Sequence, residues 1–374
     1  MGRETLSLKR SPTMKTIILV GGGHSHLHCL KKSQHQGENV KWVLISPSRY
    51  QYYSGMFSGY TEGIYSLEET RIDLENLCKA AGCDFVKSTV LSIDPDQQHL
   101  LTDKGEIFTY DFVSFDIGSR NDSTEIKGLH KHNLPIKPNY RFPEQIQKLQ
   151  KSRKTIFIGG GAASIEMALS LKAWKRDKGY DNHAVIVAHS SPLLEKAGIF
   201  SSKKMTAIAL TKGIDLHQGR VTKVEESRVY TDKGEILDYE EVIFLGGPKA
   251  PPLFASSVLP TDEQGYLLVN SYLQSVEYPN VFGTGDCATL QDFPDVPKNG
   301  VTAVRQGPVL WENLNGAAAN GKIIPFEPQK RYLAIMSVGD KRGFLTYGSF
   351  SLVSGWAWRL KNWIDQRFMG KYGE

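Results

Sequence analysis

Residues 16–28 read Thr-Ile-Ile-Leu-Val-Gly-Gly-Gly-His-Ser-His-Leu-His. The apolar run 17–20 has the length and branching of a short buried strand. Gly21, Gly22 and Gly23 then turn the chain sharply, and a helical pattern starts near Ser25. Strand, glycine turn and helix in that order open a dinucleotide-binding unit. Gly21 makes the tight turn. Gly23 lets the backbone approach a pyrophosphate that any Cβ would meet. The free N–H groups and positive dipole end of the helix hold the negative charge. His26 stands where a third glycine usually lies, so the helix must stand off the strand or the ring must pack outward.

The unit recurs. Residues 155–158 form a second apolar strand, followed by Gly159-Gly160-Gly161-Ala162-Ala163-Ser164. Residues 101–120 (LTDKGEIFTYDFVSFDIGSR) and 230–249 (YTDKGEILDYEEVIFLGGPK) also match in kind: turn, strand, acidic-aromatic step, apolar strand, glycine. This internal duplication predicts an α/β fold of two Rossmann-like, three-layer dinucleotide-binding domains, each a parallel sheet carrying an antiparallel flap. Ser164, small at the third motif position, permits close helix–sheet packing in the second copy. Two dinucleotides in one enzyme pair naturally as a flavin and a nicotinamide, because hydride passes between them without a protein nucleophile.

Further along, 278–288 reads YPNVFGTGDCA. Residues 281–282 read as a strand and Gly283-Thr284-Gly285 as a tight turn. Asp286 then presents a carboxylate that can accept hydrogen bonds from ribityl hydroxyls. Apolar residues at helical spacing over 297–314 bring a helix N-terminus near the flavin. The expected division is a first nucleotide domain over 14–138 and 266–325, a second over 139–265, and a C-terminal α/β segment over 326–374. Residues 1–13 read as a disordered polar tail, with Met14 directly before the first strand. The second strand, 40–45, ends at Ser46, where an acidic residue usually binds the adenosine ribose. The aromatic and glycine-rich stretch 49–65 reads equally as a packed surface loop or as a loop against a flat cofactor ring.

Composition narrows the class. The 374 residues suffice for two domains, and the net charge of +5 does not point to nucleic acid. Four irregularly spaced cysteines give no disulfide framework and fit a reducing, cytoplasmic setting. No apolar run reaches the roughly 18 residues that span a bilayer.

The paired Gly-Gly-Gly units, Ile-Gly-Ser at 117–119 and Gly-Thr-Gly-Asp at 283–286 resemble the pyridine nucleotide-disulfide oxidoreductases. Within them the chain is similar to the branch of type II NADH dehydrogenases and sulfide:quinone oxidoreductases. Gly-Gly-Gly-His-Ser-His, Tyr-Ser-Gly-Met at 53–56 and Ala-Val-Arg-Gln-Gly-Pro-Val-Leu at 303–310 further resemble the flavoprotein fused to selenide, water dikinase in some organisms. The resemblance implies that Gly21, Gly23 and His26 line the FAD pyrophosphate, that His24 and Ser25 also belong to the cofactor site, and that Ser46 lies near the adenosine ribose. It implies that Gly118 and Ser119 close over the cofactor, that Gly283 and Asp286 serve the ribityl chain, and that the backbone at Gly300 and Val301 faces the flavin pyrimidine edge. Gly159, Gly161 and Ser164 then hold NADH or NADPH. Glu166 falls where relatives keep a glutamate near nicotinamide and flavin; it reads equally as a carboxylate stabilising the first helical turn. Lys137 is either a solvated linker lysine or a charge that favours a reduced anionic flavin.

The departures are informative. No redox disulfide pair is present, and Cys29 and Cys287 do not match the catalytic cysteines of the sulfide branch. The second copy lacks the carboxylate that would meet the adenosine ribose of the nicotinamide dinucleotide, because strand 184–188 runs into His189-Ser190-Ser191. His24, His26 and His28 straddle a turn and a helix start, so no metal site is expected. The implied activity is hydride transfer from NAD(P)H to FAD and on to a quinone-like acceptor. The alternatives are a reductase of a soluble electron carrier and a non-enzymatic FAD-binding redox sensor. On a helical wheel, Trp356, Leu360, Trp363, Ile364 and Phe368 share one side of 356–369, which suits a peripheral helix on the inner face of the cell membrane. The competing reading is a helix that covers the flavin domain or meets a second copy of the chain.

Overall fold

The computed structural model describes residues 14–34, 40–121, 125–348 and 350–372; the tail expected over 1–13 lies outside them. The first unit contains β1 (Lys15–Val20), α1 (His24–Ser33), β2 (Val40–Ser46), β3 (Asp84–Lys87) and β4 (Phe112–Phe115). The second repeats it with β5 (Lys154–Ile158), α2 (Ala162–Asp177), β6 (Ala184–His189), β7 (Asp215–Gln218) and β8 (Glu241–Phe244). β9 (Val281–Gly283) returns to the first sheet, which runs β9-β4-β1-β2-β3; the second runs β7-β6-β5-β8. All these pairings are parallel. Strands covered on both faces need apolar residues at successive positions, and Ile17, Ile18 and Leu19 are fully buried.

In each sheet the central strand, β1 or β5, has its successor on one side and the unit's last strand on the other. The direction of winding reverses there, which opens a crevice at the carboxyl ends of the strands. The duplication holds at the level of single atoms. The Gly21 N–H donates to the Ile45 carbonyl at 2.8 Å, and the Gly159 N–H to the Ala188 carbonyl at 2.8 Å. Both glycines have positive φ, +92° and +128°. A Cβ would lie 2.5 Å from the Asp116 carbonyl oxygen in the first copy and 2.6 Å from that of Leu245 in the second. Each unit also carries its three-stranded antiparallel flap, over 90–109 and 221–238.

α3 (Gly300–Ala318) lies against α1, and Gly307 makes the crossing possible: a Cβ there would lie 2.8 Å from the His28 Cβ. The chain ends in an antiparallel meander, β10 (Leu333–Ser337), β11 (Gly343–Tyr347) and β12 (Phe350–Ser354), followed by α4 (Gly355–Met369). The Ser354 side chain caps α4 by accepting the Ala357 N–H at 3.0 Å.

The wheel reading of α4 needs correction. Ala357, Lys361, Asp365 and Phe368 form the inward stripe, while Trp356, Trp363 and Ile364 are exposed. Phe368 therefore belongs to the inner face, and two charged residues lie inside. Their mutual ion pair at 2.6 Å makes that burial tolerable. The Arg367 guanidinium sits over the Trp363 ring, 5.2 Å from the centroid.

Candidate functional site

A cavity of about 500 Å³ opens at the carboxyl ends of β1 and β4. The turn Gly21–Gly23 forms its floor, Ser46 stands at the β2 side, and Gly118 and Ser119 close the β4 side. Asp286 and Gly300 reach it from the later part of the chain. Lys137 also borders it and is no solvated linker. Its Nζ donates to the Ser119 Oγ at 2.6 Å and lies 3.5 Å from Asp286 Oδ2, to which Ser119 donates at 3.2 Å. Lysine, serine and carboxylate thus converge on one wall. Within the 49–65 stretch, Tyr50, Gln51 and Ser54 border the cavity, while Phe57 packs face to face on Phe142 at 3.6 Å.

His24 borders the cavity with an unpartnered buried Nε2. Its ring lies 5.4 Å from Tyr53 and 5.2 Å from Phe368, and a Cβ at Gly300 would come within 3.2 Å of that nitrogen. Burial pushes the imidazole down to about 4, against the pull of Asp286, so the ring is neutral at pH 7.

Several expected residues are placed elsewhere. His26 does not face the cavity, and its ring packs inward, not outward. It is fully buried, with Nδ1 2.6 Å from the Gly21 carbonyl and Nε2 2.9 Å from the Ser114 Oγ. The imidazole fills the gap that a third glycine would have closed, and burial holds it down to about 4. Ser25 is also buried and ties helices together, donating its Oγ to the Ala303 carbonyl at 2.7 Å. Gly283 is required by packing, since a Cβ would lie 2.7 Å from Leu267 Cδ2. Val301 points to solvent. His24, His26 and His28 all lie within α1 and do not straddle the turn.

At the second turn, α2 begins at Gly161 with no side-chain cap, and a Cβ on Gly161 would meet nothing within 4 Å. Its first N–H groups are open to an anion. Ser164 lies beneath, fully buried. His189 ends β6, its Nδ1 2.9 Å from the Ser191 carbonyl. Glu166 does not cap its own helix. Its Oε1 accepts from the Ser58 Oγ at 2.9 Å and from the Ser337 N–H at 2.7 Å, so it bridges the first unit, α2 and β10. Burial raises its pKa, opposed chiefly by Lys361.

Sequence reasoning missed Asp116, which borders the cavity and accepts the Ser25 N–H at 2.8 Å. It also missed the contact of Tyr53 with Asp365, where the phenol donates at 3.1 Å. The chemistry of the site does not run through thiols. All four cysteines are buried, and burial pushes Cys287 up to about 12 and Cys29 higher still. Native protein is therefore expected to retain its thiols through an hour of iodoacetamide at neutral pH, as read by intact mass. Rapid modification of Cys287 would show that the 285–287 turn opens.

Two glycine turns at two winding reversals, one above a cavity with a carboxylate wall and one with open N–H groups, define an oxidoreductase that handles two dinucleotides. Residues 15–307 match the pyridine nucleotide-disulphide oxidoreductases, and the chain belongs to that family. It is similar to the demethylphylloquinone reductase of Synechocystis sp., 23% identical, with 80% of each chain covered. In fold it is similar to the sulfide:quinone oxidoreductase of Aquifex aeolicus (TM-score 0.79, 20% identity, 96% of this chain and 91% of that one). It is likewise similar to NDH2 of Plasmodium falciparum in complex with NADH (TM-score 0.79, 12% identity, 96% and 99%). The protein is an FAD-dependent NAD(P)H oxidoreductase. The first cavity fits FAD: glycines clear a backbone cradle, Asp286 can accept from hydroxyls, and the His24 Nε2 lacks a partner.

Proposed function

We propose that the protein passes electrons from NADH or NADPH through FAD to a quinone at a membrane surface. FAD supplies a two-electron carrier between nicotinamide and acceptor. In this reading the first turn and the α1 N-terminus hold the diphosphate, Ser46 meets the adenosine ribose, and Ser119 and Asp286 hold the ribityl chain. The neutral His24 and the backbone at Gly300 meet the ring edge, and Lys137 supplies positive charge beside it. Gly159 and Gly161 hold the nicotinamide dinucleotide. Glu166 stands where the two units meet. We assign 14–138 with 266–325 to FAD and 139–265 to the nicotinamide.

The observation that carries the acceptor assignment is the two-sidedness of α4. Its inner face brings Phe368 to within 4.5 Å of Tyr53, centroid to centroid, beside the cavity. Its outer face exposes Trp356, Trp363 and Ile364. Phe350 and Leu352 of β12 continue that surface, and Ser351 between them accepts from Lys204 of the helix Ile199–Thr211, whose Ile199 and Phe200 are also exposed. An aromatic, basic-rimmed face next to a redox site suits a lipid-borne acceptor. The quinone activity named for the Synechocystis relative adds support. No described helix is long and apolar enough to cross a membrane, so the attachment proposed is peripheral.

The test is anaerobic stopped-flow flavin reduction by NADH and by NADPH, followed by turnover with a short-chain quinone and flotation with anionic vesicles. His189 stands where a carboxylate would repel the 2′-phosphate, so the two donors should differ by less than about tenfold. Serine at Trp356, Trp363 and Ile364 together should abolish flotation and slow quinone turnover while leaving flavin reduction intact. Turnover only with a soluble carrier, or reduction without turnover, favours the other two readings. A dimer that ignores vesicles reassigns the face to a second copy.

A further inference from the structure

We propose that Asp116 shares the N-terminus of α1 with the FAD diphosphate and takes up a proton to do so, which links cofactor binding to pH. The inference rests on the assignment of FAD to the first cavity. Asp116 follows β4 directly, and its Oδ2 accepts the Ser25 N–H at 2.8 Å, so a side chain of the protein already occupies the anion-binding end of the helix. Two glycines from separate turns are cleared for this carboxyl. A Cβ on Gly23 would lie 2.0 Å from the Asp116 Cγ, and one on Gly285 would lie 2.5 Å from its Oδ1. The same carboxyl borders the cavity and is only 4% exposed. Gly23 is thus where the aspartate approaches the turn from within, and on this assignment the diphosphate would approach it from the cavity side.

The duplication shows that the fold does not require an acid here. Residues 101–120 and 230–249 align so that Leu245 stands opposite Asp116. The N–H of each residue closes the same ladder, Asp116 to the Val20 carbonyl and Leu245 to the Ile158 carbonyl. In the second copy, the space beside Gly161 is open. The carboxyl in the first copy is an addition to a scaffold that works with leucine.

An ionised Asp116 beside a diphosphate puts like charges in contact in a buried place, and the neutral acid relieves this. Few surrounding groups can compensate. His24 and His26 on α1 are neutral, and the thiols of Cys29 and Cys287 stay protonated. Asp286, from the 285–287 turn, adds negative charge, and Lys137 is already engaged with it. Lys298, ahead of α3, donates to the Ala288 carbonyl and Thr289. From α3 itself, Ala303 and Gln306 approach, both uncharged. Burial outweighs the Ser25 and His26 N–H groups and lifts Asp116 to about 7 before any diphosphate arrives. A neighbouring diphosphate lifts it further. Affinity is therefore highest below pH 7, where the acid is already neutral, and falls as pH rises through that value, by about tenfold per pH unit at most.

The experiment is FAD binding to the apoprotein by fluorescence quenching from about pH 6 to about pH 9, with calorimetry near pH 8 in two buffers of different ionisation enthalpy. Expected for the wild type are a Kd that rises with pH and the uptake of nearly one proton. Asp116→Asn keeps an acceptor for Ser25 without the charge. It should bind with no slope, no proton uptake, and at least about tenfold tighter than wild type near pH 8.5. Asp116→Leu, copying the second unit, should also lose the slope. A slope that persists in Asp116→Asn, or a wild type without one, overturns the proton link while the FAD assignment stands. A wild type that takes up no FAD at any pH overturns both.

Discussion

Alanine at Gly21 is expected to give a colourless protein, and alanine at Gly159 a yellow one that NAD(P)H no longer reduces. The two glycines meet the same obstacle. Each sits at positive φ with a virtual Cβ well inside van der Waals contact, at 2.5 Å and 2.6 Å from the carbonyl oxygen of the residue that follows the neighbouring strand. Backbone cannot yield as a flexible side chain does. Each substitution should therefore cost about 3 kcal/mol of stability, the upper range for a strained position. The fold penalties are alike, whereas the functional losses differ, because one turn underlies the FAD cavity and the other the open α2 N-terminus. Denaturant melts give the first quantity. Bound-flavin absorbance and anaerobic reduction give the second. Should Gly159→Ala lose its flavin and Gly21→Ala keep it, the cofactor assignments are reversed.

The second large effect concerns the underside of α4. Asp365 accepts from Lys361 at 2.6 Å and from Tyr53 at 3.1 Å, and the two charged side chains are only 5% and 11% exposed. Asp365→Leu leaves the Tyr53 phenol without its acceptor and the buried Lys361 ammonium with the Gly55 carbonyl but no counter-charge on its own helix, and should destabilise the protein by about 3–5 kcal/mol. The paired change Lys361→Met with Asp365→Leu removes both charges and should recover part of that loss, the remainder being the cost to buried Glu166 of losing the cation that opposes its raised pKa. The coupling between the two is read from a double-mutant cycle of urea melts. If the pair is no more stable than Asp365→Leu alone, the cost lies in packing on Tyr53 and Phe368, not in the buried charge.

How far the sequence could be read depended on what kind of constraint each residue answers. Gly21 and Gly159 announce themselves because only glycine tolerates the conformation and the close approach. The duplication then places β1 and β5 at the centre of their sheets. Residues 72–81 have helical spacing, yet the helix begins at Leu74, because Arg71–Asp73 pairs with Tyr50–Tyr52 and the Asp73 side chain caps the helix by accepting the Asn76 N–H. Residues 85–93 alternate like one strand in sequence but fold as two strands in different sheets. Such boundaries answer to tertiary pairing, which leaves little local mark. His26 and Asp116 were harder for the same reason. The imidazole looks like a broken motif until Ser114 is seen to receive it. The aspartate looks like the tail of an apolar strand until Gly23 and Gly285 are seen to make room for it. The only available signal was its mismatch with Leu245 across the duplication. Tyr53 and Asp365 lie 312 positions apart, and nothing in either neighbourhood names the other.

The place of β9 at the far edge of the first sheet has a consequence for synthesis. β4 gains its outer neighbour, and α1 its companion helix α3, only from residues that come after the whole second unit. The second sheet is contiguous and can close as soon as β8 leaves the ribosome. At ordinary rates of elongation the N-terminal half then waits on the order of ten seconds or more, with the outer edge of β4 unpaired. The half made first is the half finished last, and the second sheet is the first cooperative unit available to shelter it.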